Sequence, residues 1–168
     1  FVIGQGVKFV TTSAGSPTKY TGVLKEAGLT VYHVVPTLEA AKKAVDAGVD
    51  GLVVEGGEGG GFKSPTPGST MILLPLIRDN VSVPIIAAGG IKDGRTMAAA
   101  FALGAEGVQM GTQMVSSYES PVHENWKNAI IAASETDTLF LNQKHSPALR
   151  ALRTDRSERL LDSQENIF

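Results

Sequence analysis

The chain has 168 residues, 42% of them hydrophobic and 19% charged, the balance of an ordinary globular protein with a sizeable core. Its net charge of −2 gives no electrostatic basis for binding nucleic acid or an anionic membrane. The absence of cysteine excludes disulfides, thiolate catalysis and cysteine-ligated metals. No apolar run approaches the ~20 residues of a membrane span, and no signal peptide is visible. A soluble, cytoplasmic protein that acts on a small molecule is the expectation.

Val7 to Thr12 is rich in β-branched residues and reads as a strand, followed by a turn at Ser13-Ala14-Gly15-Ser16-Pro17. Tyr20 to Ala27 reads as a helix that Gly28 stops. Val31 to Val35 is the next strand. Thr37 caps a second helix, whose buried face is Ala40, Ala41, Ala44 and Val45. Gly51 to Glu55 is a third strand, and a glycine-dense loop runs from Gly56 to Gly68. Thr70 to Asn80 is helical in pattern, with Ile72, Leu73, Leu76 and Ile77 on one face.

Pro84-Ile85-Ile86-Ala87-Ala88-Gly89-Gly90-Ile91 organises the chain, and Gly107-Val108-Gln109-Met110-Gly111-Thr112 echoes it. Each reads as a strand ending in glycine. Ile85 to Ala88 has no polar face, which suits a strand covered on both sides in a parallel sheet. Asp93 or its neighbours start the helix that carries Met97, Ala98, Phe101 and Ala102. Strand and helix thus alternate about five times at short intervals, the pattern of βα units around a parallel sheet. A glycine pair after a strand is common turn chemistry. Two in succession, with the Thr112 hydroxyl beside them, favour an anion pocket made of bare backbone N–H groups. In a (β/α)8 barrel the loops after strands seven and eight carry such a phosphate site, and a whole barrel needs typically ~250 residues. The fold class is therefore α/β, the C-terminal portion of a barrel. Residues 1–134 form that portion and residues 135–168 an extension packed on it. Such a portion leaves sheet edges open, which favours association, a homodimer included.

Beyond Thr112 the pattern loosens. Glu124 to Ala133 looks helical, and Thr138-Leu139-Phe140-Leu141 is a short apolar run. Arg150, Arg153, Arg156 and Arg159 recur at a three-residue step. They read as a solvated helix face paired with Asp155, Glu158 and Asp162, in preference to an arginine stripe for phosphate.

Glu55 and Glu58 bracket the start of the glycine loop at a strand's C-terminal end, where barrel enzymes hold their active sites. Glu55 reads as an acceptor for loop N–H groups. Glu58 divides evenly between shaping the loop and a functional role, acid–base work or holding a metal. Gly59, Gly60 and Gly61 imply that something flat or charged lies against the backbone. His33 lies within a strand and reads as a satisfied core or lining residue. His123 and His145 read as structural or surface residues, and no metal-ligand spacing links the three.

Four motifs in order carry a resemblance: Thr11 to Pro17, Glu55 to Gly61, Ala87 to Gly94, and Gln109 to Thr112. Together, from roughly Val7 to Ala133, they resemble the nitronate monooxygenases (formerly 2-nitropropane dioxygenases) and equally the related flavin-type enoyl-acyl-carrier-protein reductases. The resemblance implies an FMN-binding (β/α)8 barrel. It implies that the FMN phosphate lies at Gly89, Gly90, Gly111 and Thr112, that Gln109 and Met110 belong to the same motif, and that Gly59 and Gly60 pass close to the flavin. It implies further flavin and substrate contacts from N-terminal strands. The family's histidine, which acts on substrate near the flavin, is replaced by Phe62. A phenyl ring accepts no proton, so no catalytic residue is assigned. A preformed nitronate would still be oxidised with oxygen. The alternatives are an enoyl reductase using NAD(P)H, a catalytically silent FMN-binding barrel, and a phosphate-binding barrel without flavin.

Overall fold

The computed structural model describes residues 1–163 and 165–168. Five strands form a parallel sheet: β1 (Phe9–Thr12), β2 (Thr30–Val35), β3 (Gly51–Glu55), β5 (Ile85–Ala88) and β6 (Gly107–Gln109). Their order in the sheet is their order in the chain, so every connection steps in the same direction. The helices that make these crossovers are α1 (Thr21–Glu26), α2 (Leu38–Asp46), α3 (Thr70–Arg78) and α4 (Gly94–Ala102). A short helix α5 (Thr112–Val115) follows β6, and α6 (Glu124–Ala132) comes next.

The helices cover one face. Leu24 of α1, Ala41 and Ala44 of α2, Leu73, Leu74 and Ile77 of α3, and Ala100 of α4 pack in one cluster with Val31, Val35, Leu52, Val54, Ile85 and Ala87. Side chains alternate along a strand, so the residues between these point to the other, concave face. Register aligns that face in rows: Val34, Val53, Ile86 and Gly107 in one, then Glu55, Ala88 and Gln109 at the strands' C-terminal ends. Lower down, the Tyr32 ring lies over Gly51, where a Cβ would come within 2.4 Å of it. Tyr32 also meets Phe9 with ring centroids 5.1 Å apart. The sheet is open, with β1 and β6 at its edges.

The expected helices and strands of this sheet are present, with ends moved by a few residues. One buried face differs from expectation. In α3 the sheet takes Leu73, Leu74 and Ile77, while Ile72 and Leu76 stay exposed. Residues 71–77 are apolar almost all round, so periodicity alone does not choose the inner face. In α4 the buried contact is Ala100, and Phe101 is exposed.

The larger difference is in the glycine loop and the C-terminal stretch. Gly61–Lys63, expected as loop, is a strand, β4. It joins β7 (Thr138–Leu141) and β8 (Ala148–Leu152) in an antiparallel sheet ordered β4-β8-β7. Phe62 pairs with Leu149 and Lys63 with Ala148. The C-terminal stretch thus clamps the glycine loop, and helix α7 (Asp155–Ser163) packs behind β7. Arg150 is a strand residue of β8, so the four arginines share no helix face; only Arg156 and Arg159 lie in α7. Among the described residues, no helix is long and apolar enough to cross a membrane.

Candidate functional site

The site is built where β3, β5 and β6 end. The pairing of Ala88 with Gln109 brings Gly89-Gly90 beside Met110-Gly111. Gly89 and Gly90 both have left-handed backbones, at φ 93° and 74°. A Cβ on Gly89 would lie 3.1 Å from both Gly56 O and Gly59 N, so the chain passes there only without a side chain. At Gly60 and Gly111 a Cβ would meet open space. Gly90, Gln109, Gly111 and Thr112 are exposed, and Met110 is half-buried. Gln113 Nε2 donates to Lys92 O at 2.8 Å and ties the loop after β6 to the loop after β5.

The first turn of α4 is already served from within. Asp93 accepts from the backbone N–H of Arg95 at 3.0 Å and of Thr96 at 3.1 Å, and the Thr96 hydroxyl accepts from the N–H of Asp93. This reciprocal capping box starts the helix. The Arg95 side chain and the Thr96 N–H hold the Asp93 carboxyl down at a pKa of about 2.

Glu58 does the same work at a distance. Its carboxylate accepts from the Thr70 N–H at 3.0 Å, the first residue of α3. The Thr70 hydroxyl has three acceptors for its one proton, Glu58 Oε2 at 2.8 Å, Gly89 O at 2.9 Å and Ala88 O at 3.4 Å. The glycine loop, the start of α3 and the Gly89 turn are thereby locked together. Arg150 locks the loop from behind, donating to Gly57 O at 2.9 Å and to Thr138 Oγ1 at 2.8 Å.

Glu55 points into the concave face, but it does not accept from loop N–H groups as expected. Its Oε1 lies 2.6 Å from the Nζ of Lys63, whose side chain is only 3% exposed. This pair fills the space where Gly59 lacks a side chain: a Cβ there would lie 2.8 Å from Lys63 Nζ and 2.9 Å from Glu55 Oε1. The charged neighbour expected against the glycines is, at Gly59, the protein's own ion pair. Phe62, the next residue along β4, faces the other way, and its ring meets Phe168 with centroids 5.2 Å apart.

The histidines lie apart from this cluster. His33 is buried on the helix side of β2, with Nδ1 2.7 Å from Thr12 Oγ1, and burial lowers its pKa. His123 caps α6, accepting from the Asn125 N–H, and His145 is exposed. Among the described residues, no group of three or more His, Asp or Glu side chains could hold a metal. A cavity of about 300 Å³ lies between α7 and the β7–β8 turn, away from the strand ends.

Lys63, Thr70 and Arg150 are the site-building residues that sequence reasoning passed over. Lys63 and Arg150 act through a strand pairing across almost ninety positions of chain, which leaves no local signal.

A parallel sheet wound in chain order, with its helices on one face and glycine-ended strands around a concave mouth, is the wall of a (β/α)8 barrel. The comparisons with known proteins fix the class. The nitronate monooxygenase family model matches residues 1–167, and the chain belongs to that family. It is 36% identical over 154 residues to the Rhodococcus jostii (3aS,4S,5R,7aS)-5-hydroxy-7a-methyl-1-oxo-octahydro-1H-indene-4-carboxyl-CoA dehydrogenase, covering 92% of this chain and 43% of that protein. It is 38% identical over 152 residues to a Staphylococcus saprophyticus protein named "Probable nitronate monooxygenase", covering 84% and 42%. Among solved structures, FabK from Thermotoga maritima superposes with a TM-score of 0.93 at 44% identity, covering 97% of this chain and 52% of that one. Nitroalkane oxidase from Streptomyces ansochromogenes shares the fold, with a TM-score of 0.87 at 23% identity. The chain spans about half the length of these relatives, so its sheet is a partial barrel.

Proposed function

We propose that this chain provides the cofactor-binding half of an FMN-dependent oxidoreductase of the nitronate monooxygenase type. The carrying observation is the juxtaposition of Gly89-Gly90 and Met110-Gly111-Thr112 at two paired strand ends. Gly90, Gly111 and Thr112 are exposed at these ends, where backbone N–H groups and the Thr112 hydroxyl would serve an anion as donors. The residues fit a phosphate held by the strand ends. The first turn of α4 is not needed for it, because Asp93 already serves those donors.

Gly89, Gly90, Gly111 and Thr112 would hold the phosphate of FMN, with Gln109 and Met110 beside it. Gln109 ends the inward row that Glu55 begins, so its amide faces the mouth. Gly60, with open space on its Cβ side, lets a flat ring approach the loop. When bound, the flavin would accept electrons from substrate and pass them to oxygen. The protein's part is to bind, orient and shield. Phe62 turns away from the mouth and its ring accepts no proton, so a substrate that arrives already as an anion suits the site better than one that must lose a C–H proton.

The test is oxygen uptake by the full-length protein with a preformed nitronate and with the corresponding neutral nitroalkane. Uptake with the nitronate at a rate well above the neutral form supports the reading. Uptake with neither contradicts it.

A second reading has an observation of its own. The Rhodococcus jostii relative is a carboxyl-CoA dehydrogenase, and its match runs through the glycine loop. A CoA thioester substrate is then the competitor to the nitronate. Reduction of bound flavin by a CoA thioester, with no turnover of nitronates, would select it. Flavin reduction by NAD(P)H with loss of an enoyl thioester would select the enoyl reductase.

A further inference from the structure

The mouth of the half-barrel contains a buried ammonium paired with a single carboxylate. The Lys63 side chain is 3% exposed, and its Nζ lies 2.6 Å from Glu55 Oε1. That contact is an ion pair without hydrogen-bond alignment: among the described residues, Nζ meets no acceptor in hydrogen-bonding geometry. An ammonium carries three donors, and buried polar groups are satisfied by protein, water or ligand. The cost of leaving a charged donor unmet is what makes such a group informative.

Its position is equally specific. Glu55 begins the inward row that continues through Ala88 to Gln109, so the pair sits at the level of the strand ends. Gly59 admits the pair by lacking a side chain. Alternation along β4 turns Lys63 inward where Phe62 turns out.

We propose that Lys63, held in place by Glu55, is the charged group this chain presents to the flavin, and that the pair sets the flavin's reduction potential. This rests on the flavin-binding reading above. Reduction adds negative charge to the cofactor, so a fixed cation nearby favours the reduced state and a fixed anion opposes it. In the pair the two charges offset each other. Removing either one therefore moves the potential, and the two removals move it in opposite directions. A pair that only pins β4 against β3 has no such signature: losing either member loosens the loop and weakens flavin binding without a signed shift.

The experiment is potentiometry on the flavin-loaded full-length protein, with flavin affinity measured alongside. Lys63→Met should shift the oxidised-to-reduced equilibrium about tenfold toward the oxidised state, about 30 mV for a two-electron couple. Glu55→Gln should shift it by a similar factor the other way, and Lys63→Arg should stay within roughly threefold of the parent. Shifts in the same direction, or changes below about threefold for both Lys63→Met and Glu55→Gln, would overturn the proposal. Should Lys63→Met fail to fold, Glu55→Gln decides alone, because the absence of a rise contradicts the proposal. A parent protein that binds no flavin overturns the functional reading and this inference with it, whereas a flavin-loaded protein with an unmoved potential overturns this inference only.

Discussion

Phe62, which the resemblance sets at the family's histidine position, is 64% exposed, and its ring meets that of Phe168. A positioned general base typically contributes about 10²–10⁴ in rate. If the missing base is what limits neutral substrates, Phe62→His should raise turnover of a neutral nitroalkane at least tenfold, toward the lower end of that range. Turnover of a preformed nitronate should change little. Equal effects on both substrates in steady-state kinetics would show that position 62 acts by shape. His33 gives a prediction about stability instead. Burial lowers its pKa from the ordinary value near 6.5. The unfolded chain then binds a proton in a pH range where the folded chain does not. The stability that the neutral imidazole contributes is complete above about pH 6.5 and is lost as pH falls toward the folded pKa. Denaturant midpoints measured from pH 7.5 to 5 should fall on acidification, and the fall should be smaller in His33→Leu. A parallel decline in both proteins would assign it to other groups.

At the level of elements, the strands of the parallel sheet were legible because each is a short β-branched or apolar run bounded by glycine, proline or a cap. Thr37 and Asp93 start their helices as the sequence implies. The antiparallel sheet was not legible. Gly61-Phe62-Lys63 has one strand-favouring residue, and Ala148-Leu149-Arg150-Ala151-Leu152 reads more readily as helix. Both are strands because each completes the other, a pairing that local preference does not encode. Arg150 was misplaced for the same reason, and the burial of Lys63 follows from the same pairing. The Gly89 turn shows the reverse, a backbone requirement written directly in the sequence. At φ 93° and with a Cβ 3.1 Å from two backbone atoms, Gly89→Ala should cost about 1–3 kcal/mol in strain. It should also weaken flavin binding in equilibrium titration. Unchanged stability and unchanged affinity would mean the turn relaxes without consequence.

For the whole molecule, the barrel wall follows from regular βα alternation, and the four ordered motifs gather at the C-terminal ends of its strands. The structure adds the arrangement of that end. The C-terminal stretch supplies two strands that hold the glycine loop, Glu58 and Thr70 fasten the loop to the Gly89 turn, and Glu55 with Lys63 fills the space beneath it. The glycine-lined mouth, with the Glu55–Lys63 pair beneath its loop, is the surface that the proposed flavin would meet. The most direct test is the visible absorption spectrum of the purified full-length protein, with the cofactor released and identified by mass. The account predicts a flavin spectrum and the mass of FMN. A protein that shows no flavin, even after incubation with FMN, would contradict the account at its centre and leave a phosphate-binding barrel of another chemistry.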